Sequence, residues 1–141
     1  MTGFWRSWMT VWAWIVIAFG VILATGGLPA TEGVSRLVYM LIGNPLPETL
    51  DAHHRFANAL MGAVTIGWGF TLLALLRATD LLGDRAGPVW KGLLTSVLVW
   101  YVIDGYLSWA TGFPMNIASN TLLLAGLLLP LWRSGVLARK A

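Results

Sequence analysis

Apolar residues fall into four long blocks, at about Ser7–Ala24, Thr49–Leu76, Pro88–Thr111 and Pro114–Trp132, and polar residues collect between them. Roughly 20 helical residues cross about 30 Å of hydrocarbon, so each block predicts a membrane-spanning helix. Glycine and proline mark the boundaries. Thr25-Gly26-Gly27-Leu28-Pro29 stops the first helix, and Gly112-Phe113-Pro114 sets a glycine at one helix end against a proline at the next helix start. A connection that short predicts an antiparallel hairpin of the third and fourth spans. The second block is charge-free from Phe56 to Leu76, and its first turns carry Asp51, His53, His54 and Arg55.

Between the first two blocks, Thr31 to Leu50 is too polar and too short to cross. Val34, Leu37, Val38 and Leu41 keep the i, i+3, i+4, i+7 spacing of a helix face while Glu32, Ser35 and Arg36 take other positions, which predicts a short helix lying on the interface. A surface loop covering the end of the bundle is the alternative. Asn44-Pro45 and Pro47 end this segment. With no internal repeat and no low-complexity tract, the expected architecture is all-α, a single domain over residues 1–141. It is an integral membrane four-helix bundle with a short interfacial helix between spans one and two.

Composition sharpens this picture. Of 141 residues, 57% are hydrophobic and 11% charged, and the mean hydropathy of +0.74 lies far from the balance of a soluble domain, so the lipid bilayer is the first expected partner. The absence of cysteine excludes disulfides, thiolate metal sites and cysteine nucleophiles. A sequence pI near 9.8 accompanies a net charge of only +3, on basic residues that flank apolar blocks, so nucleic acid is not an expected partner. The apolar run after Arg6 is longer than a signal-peptide core and has leucine where cleavage requires a small residue, which predicts an uncleaved first span.

Arg6, Arg77, Arg85, Lys91, Arg133, Arg139 and Lys140 lie on the side of the termini, with only Arg36 and Arg55 opposite. This asymmetry predicts cytoplasmic N and C termini, in what is expected to be a bacterial inner membrane. The nine tryptophans exceed an interfacial belt, since Trp12, Trp14, Trp68 and Trp100 fall inside the spans, where they fill the bundle or face a neighbouring protein. Ala59, Ala63 and Gly67 follow the small-xxx-small spacing that permits close helix approach.

Asp104 is the only charge between Gly92 and Trp132. A carboxylate inside a span faces a partner, a water-filled cavity or a ligand. At about 1.5 Å per residue it lies about 12 Å below the Gly112 turn, and Asn120 lies about 9 Å below Pro114. The topology predicts a polar level of Arg55, Asp104, Asn116 and Asn120, with Asn58 and Ser108 one turn away. One reading is an Arg55–Asp104 ion pair gluing helices, a second is a ligand or proton site built on that pair, and a third pairs Arg55 with Asp51. His53 and His54 point about 100° apart and cannot both hold one ion, so no metal site is expected. One of them could contact a pigment or a quinone, although no cofactor is required.

The run His54-Arg55-Phe56 followed by Gly62, Gly67 and Gly69 resembles the second helix of small four-helix bacterial inner-membrane proteins of unknown function. That resemblance implies a four-helix membrane bundle and no activity. The expected function is therefore a non-catalytic accessory or structural subunit of a larger membrane complex, energy-transducing assemblies being one such class, with other membrane subunits as partners. The alternative is an independent membrane binder, carrier or enzyme for a small or lipophilic molecule that uses Arg55 and Asp104.

Overall fold

A computed structural model describes residues 1–43 and 45–138, all of whose regular structure is helical. Asn44, part of the expected chain break, and Arg139 and Lys140, part of the expected charge asymmetry, lie outside the described residues. The elements in order are α1 (Gly3–Thr25), α2 (Glu32–Leu41), α3 (Ala52–Leu82), a 3-10 turn (Gly83–Ala86), α4 (Gly87–Ala110) and α5 (Pro114–Arg133). Three helical runs are long and apolar enough to cross a membrane: Gly3–Thr25, Ala52–Ala110 and Pro114–Arg133. The four separate blocks expected from sequence thus become three runs, because the 3-10 turn carries α3 into α4 without a non-helical gap. Gly83 has φ of +55°, a left-handed conformation that glycine adopts without the penalty of a Cβ.

The outward surface is apolar on every long helix. Val11 and Ile15 on α1, Leu60 and Val64 on α3, Val99, Val102 and Ile103 on α4, and Leu122 on α5 are all exposed. A protein in water rarely presents so much contiguous apolar surface, whereas lipid tails solvate it at no cost.

The chain divides into two compact units, Met1–Trp12 with Leu72–Ala141, and Ala13–Thr71. In the second unit, α1 and α3 run antiparallel and pack backbone against backbone. A Cβ added at Gly20 would lie 2.7 Å from the Ile66 nitrogen, and one added at Gly27 would lie 2.8 Å from the Ala59 Cβ. Gly62 against Ala24 and Gly69 against Ile17 are closer still. The small-residue seam therefore uses Ala59, Gly62 and Gly69. Ala63 is exposed and Gly67 meets nothing within 4 Å, so the expected Ala59-Ala63-Gly67 stripe is displaced by about a third of a helical turn.

The first unit is organised by α4, α5 and the start of α1. The α4–α5 connection ends in a Schellman motif: Phe113 N–H bonds the Ser108 carbonyl at 2.7 Å, Gly112 N–H bonds that of Trp109 at 3.2 Å, and Gly112 has φ of +85°. Pro114 then opens α5, where a missing N–H costs nothing. Pro130 lies inside α5 and cannot donate to the carbonyl four residues before it, so the Gly126 oxygen loses its helical partner. The Trp8 indole supplies that bond at 2.9 Å, and one turn further along α1 the Trp12 indole donates to the Leu123 carbonyl at 3.0 Å. The seam has room only because residue 126 is glycine, whose Cβ would come within 2.9 Å of the Trp12 ring. Trp12 is thus a buried constituent of the bundle. Arg6 clamps Asp80 with its Nε at 3.0 and 2.9 Å from the two carboxylate oxygens.

Trp8→Phe keeps the ring but leaves the Gly126 oxygen without a donor, and should cost about 1–2 kcal/mol in a reversible unfolding assay in detergent. Pro130→Ala, which restores a backbone N–H at position 130, should remove most of that penalty in the double variant. Additive losses would show that the indole serves only as packing.

Candidate functional site

The second unit uses its polar residues to hold α2. Glu32, Ser35, Arg36 and Tyr39 follow the same i, i+3, i+4, i+7 spacing as the apolar stripe, on the opposite face of the helix, and this polar face turns inward. Ser35 Oγ is fully buried, donates to the Ile22 carbonyl at 2.6 Å and shares a 2.9 Å bond with Thr25 Oγ1. Tyr39 Oη donates to Asn58 Oδ1 at 3.1 Å. Arg36 reaches Glu32 at 3.0 Å with Nε, and the carbonyls of Pro47 and Glu48 at 2.7 and 2.9 Å with its two terminal nitrogens. Val34, Leu37, Met40 and Leu41 are exposed. The helix is amphipathic with its polar stripe against the protein and its apolar stripe outside, an arrangement suited to a hydrocarbon exterior.

Arg55 belongs to this latch. Its Nη1 lies 2.5 Å from Glu32 Oε2, and both atoms are shut off from the surroundings and paired only with each other. One carboxylate thereby joins two guanidiniums, Arg36 from its own helix and Arg55 from the start of α3. Those bonds, Arg36 first and Arg55 second, hold the Glu32 carboxyl below the usual carboxylate range. The cation expected to face Asp104 is therefore committed to Glu32. Asn58, expected beside Asp104, is buried in this unit and accepts from Tyr39.

Asp51 is not the ion-pair partner of Arg55 that the third reading expected. It caps α3: its Oδ1 accepts the His54 N–H at 2.8 Å and lies 2.9 Å from His54 Nδ1, and the backbone bond is the leading cause of its lowered carboxyl pKa. His53 and His54 are both exposed at this helix start. Among the described residues no group of three or more histidines and carboxylates is placed to hold a metal ion.

Asp104 lies in the first unit, half-buried on α4, and α5 brings its amides to it. Asn116 Nδ2 donates to Asp104 Oδ2 at 2.9 Å and to Ser108 Oγ at 2.8 Å. Asn120 Nδ2 makes a short bond to the same carboxylate oxygen, and Ser108 Oγ approaches it at 3.4 Å. The spacing explains the convergence: Asp104 and Ser108 are one turn apart on α4, Asn116 and Asn120 are one turn apart on α5, and the three-residue connection sets these pairs opposite each other. Further along the hairpin, Tyr101 Oη and Thr121 Oγ1 meet at 2.7 Å. Of the six residues expected in one polar cluster, Ser108, Asn116 and Asn120 gather on the carboxylate of Asp104, while Arg55 and Asn58 serve the α2 latch.

Sequence reasoning passed over Glu32, although a signal was present. A second helical stripe made of Glu32, Ser35, Arg36 and Tyr39 ran beside the apolar one, and only the inward direction of that stripe reveals its use.

The latch should respond to acid with a defined sign. A carboxyl whose folded pKa is lowered contributes stability fully above the ordinary glutamate range, about pH 4–5, and loses it as pH falls through the lower folded value. Hydrogen exchange in α2 should accelerate below that range, and Glu32→Gln should show fast exchange at neutral pH with no further acid step. An acid step that persists in Glu32→Gln would place the titrating group elsewhere.

Comparison with known proteins finds no matching family model, no matching curated protein and no matching solved structure.

Proposed function

We propose that this chain is an integral membrane protein that works by binding a small or lipophilic molecule at Asp104. The observation that carries this reading is the set of partners around that carboxylate. A charge inside an apolar helix is explained structurally when a cation neutralises it, and the cation expected for that role, Arg55, is spent on Glu32. Asp104 is instead positioned by two amides and a hydroxyl, none of them charged. Neutral donors orient a carboxylate without cancelling its charge, which leaves it free to attract a partner.

In this reading α3 and α4 cross separately, reversing at the Gly83–Ala86 turn, so that the helices make four crossings with both termini in the cytoplasm. Support comes from the left-handed Gly83 and from the clustering of Arg77, Arg85 and Lys91 around that turn. The same open carboxylate also suits an accessory subunit whose neighbour supplies the missing cation, and one experiment separates the two.

Wild type and Asp104→Asn are purified in a mild detergent, and the particle mass, melting midpoint and co-extracted small molecules are measured together. The binding reading expects a small particle carrying an organic ligand in the wild type. It expects an equally well-folded variant without that ligand, because the amide is nearly isosteric. A large assembly that Asp104→Asn dissociates would replace this reading with the subunit role. For topology, cysteines introduced singly as Thr2→Cys and Leu81→Cys should be protected from an impermeant thiol reagent in intact cells, and Leu46→Cys should react. The reverse pattern would invert the orientation.

A further inference from the structure

The hydrogen bonds around Asp104 are asymmetric. All three donors converge on Oδ2, and among the described residues none donates to Oδ1. Among the described residues the fully enclosed unpaired polar atoms are Glu32 Oε2 and Arg55 Nη1, so Oδ1 of the half-buried Asp104 is not sealed off. The amides show the same one-sidedness. Asn116 and Asn120 direct their NH2 groups at Asp104, and the oxygen of each side chain takes no hydrogen bond from the described residues. The unused capacity of the cluster therefore consists mainly of acceptors, one of them a carboxylate oxygen, with the second N–H of Asn120 as the one donor left over.

We propose that this site takes a lipophilic ammonium, a protonated amine carried on an apolar chain. The inference rests on the binding role proposed for Asp104 and names the ligand class. An ammonium supplies what the cluster lacks, a positive charge with several N–H donors and no acceptors. A quinone, a carboxylate or a phosphate offers acceptors to a site with a single N–H, on Asn120, left to donate, and the two anions would also meet the Asp104 charge. Ile103 and Leu107 flank Asp104 on α4, Phe113 precedes α5, and all three are exposed, giving the ligand's chain an apolar track beside the charge. The hydrogen bonds from α5 fix the carboxylate before the ligand arrives, so little ordering remains to oppose binding.

Binding is measured by native mass spectrometry or titration calorimetry at neutral pH in an uncharged detergent. The probes share one chain and differ in the headgroup: dodecylammonium, dodecyltrimethylammonium, dodecanol and dodecanoate. Dodecylammonium should bind saturably, one per chain, on the order of tenfold or more tighter than dodecanol. Dodecyltrimethylammonium, which has the charge but no N–H, should fall between them, and dodecanoate should be weakest. Asp104→Asn should reduce dodecylammonium to the dodecanol level. Leu107→Lys, three residues along the same exposed helix face, should also abolish the preference by presenting an internal cation, and it retains the Asp104 hydrogen bonds if Asp104→Asn fails to fold. Asp104-dependent binding of dodecanol or dodecanoate in preference to dodecylammonium would overturn the ligand class and leave the binding role standing. Binding of all four probes that ignores both substitutions would remove the binding role itself.

Discussion

Helices with an apolar exterior leave their polar atoms nowhere to go except to one another, and this constraint organises the whole molecule. An unsatisfied polar group facing hydrocarbon costs several kcal/mol, more than most packing contacts return. Pro130 shows it at its simplest. A proline inside α5 frees one carbonyl, the indole of Trp8 takes it up, and Gly126 provides the space for α1 to approach. A backbone defect on one helix is converted into an interhelical bond.

The same constraint gives α2 its orientation. In water, Val34, Leu37 and Leu41 would turn inward and Glu32, Arg36 and Tyr39 outward. Here the order is reversed, and the polar stripe meets the carbonyl of Ile22 near the end of α1, Asn58 and Arg55 on α3, and the carbonyls of the segment that follows α2. Glu32 is the centre of this arrangement because, among the described residues, it is the one carboxylate shared by two guanidiniums. Removing it would strand Arg55 Nη1, an enclosed cationic atom with no other partner.

Set beside these closed arrangements, the α4–α5 cluster stands apart. Glu32 is neutralised and the Gly126 carbonyl is satisfied, whereas Asp104 is held by neutral donors at one oxygen only. A structural carboxylate would be expected to resemble Glu32. The contrast between the two sites is the physical basis on which recognition is proposed for Asp104, while Arg55 serves the α2 latch.

The sequence by itself determined the helical class, the apolar surface and the ends of the helices, because these depend on local chemistry: block length, proline at α5's start and glycine where φ turns positive. It also determined the meeting of Asp104 and Ser108 with Asn116 and Asn120, since so short a connection leaves one register for the hairpin and helical spacing does the rest. What the tertiary structure decided was every partnership across a longer connection. Arg55 could face Asp104, Asp51 or Glu32 on charge alone, and the choice depended on α2 folding its polar face inward, a direction that periodicity does not encode because both stripes have the same spacing. The glycine seam was decided in the same way. Ala59, Ala63 and Gly67 offered one small-residue stripe and Ala59, Gly62 and Gly69 another, and only the antiparallel approach of α1 selected between them.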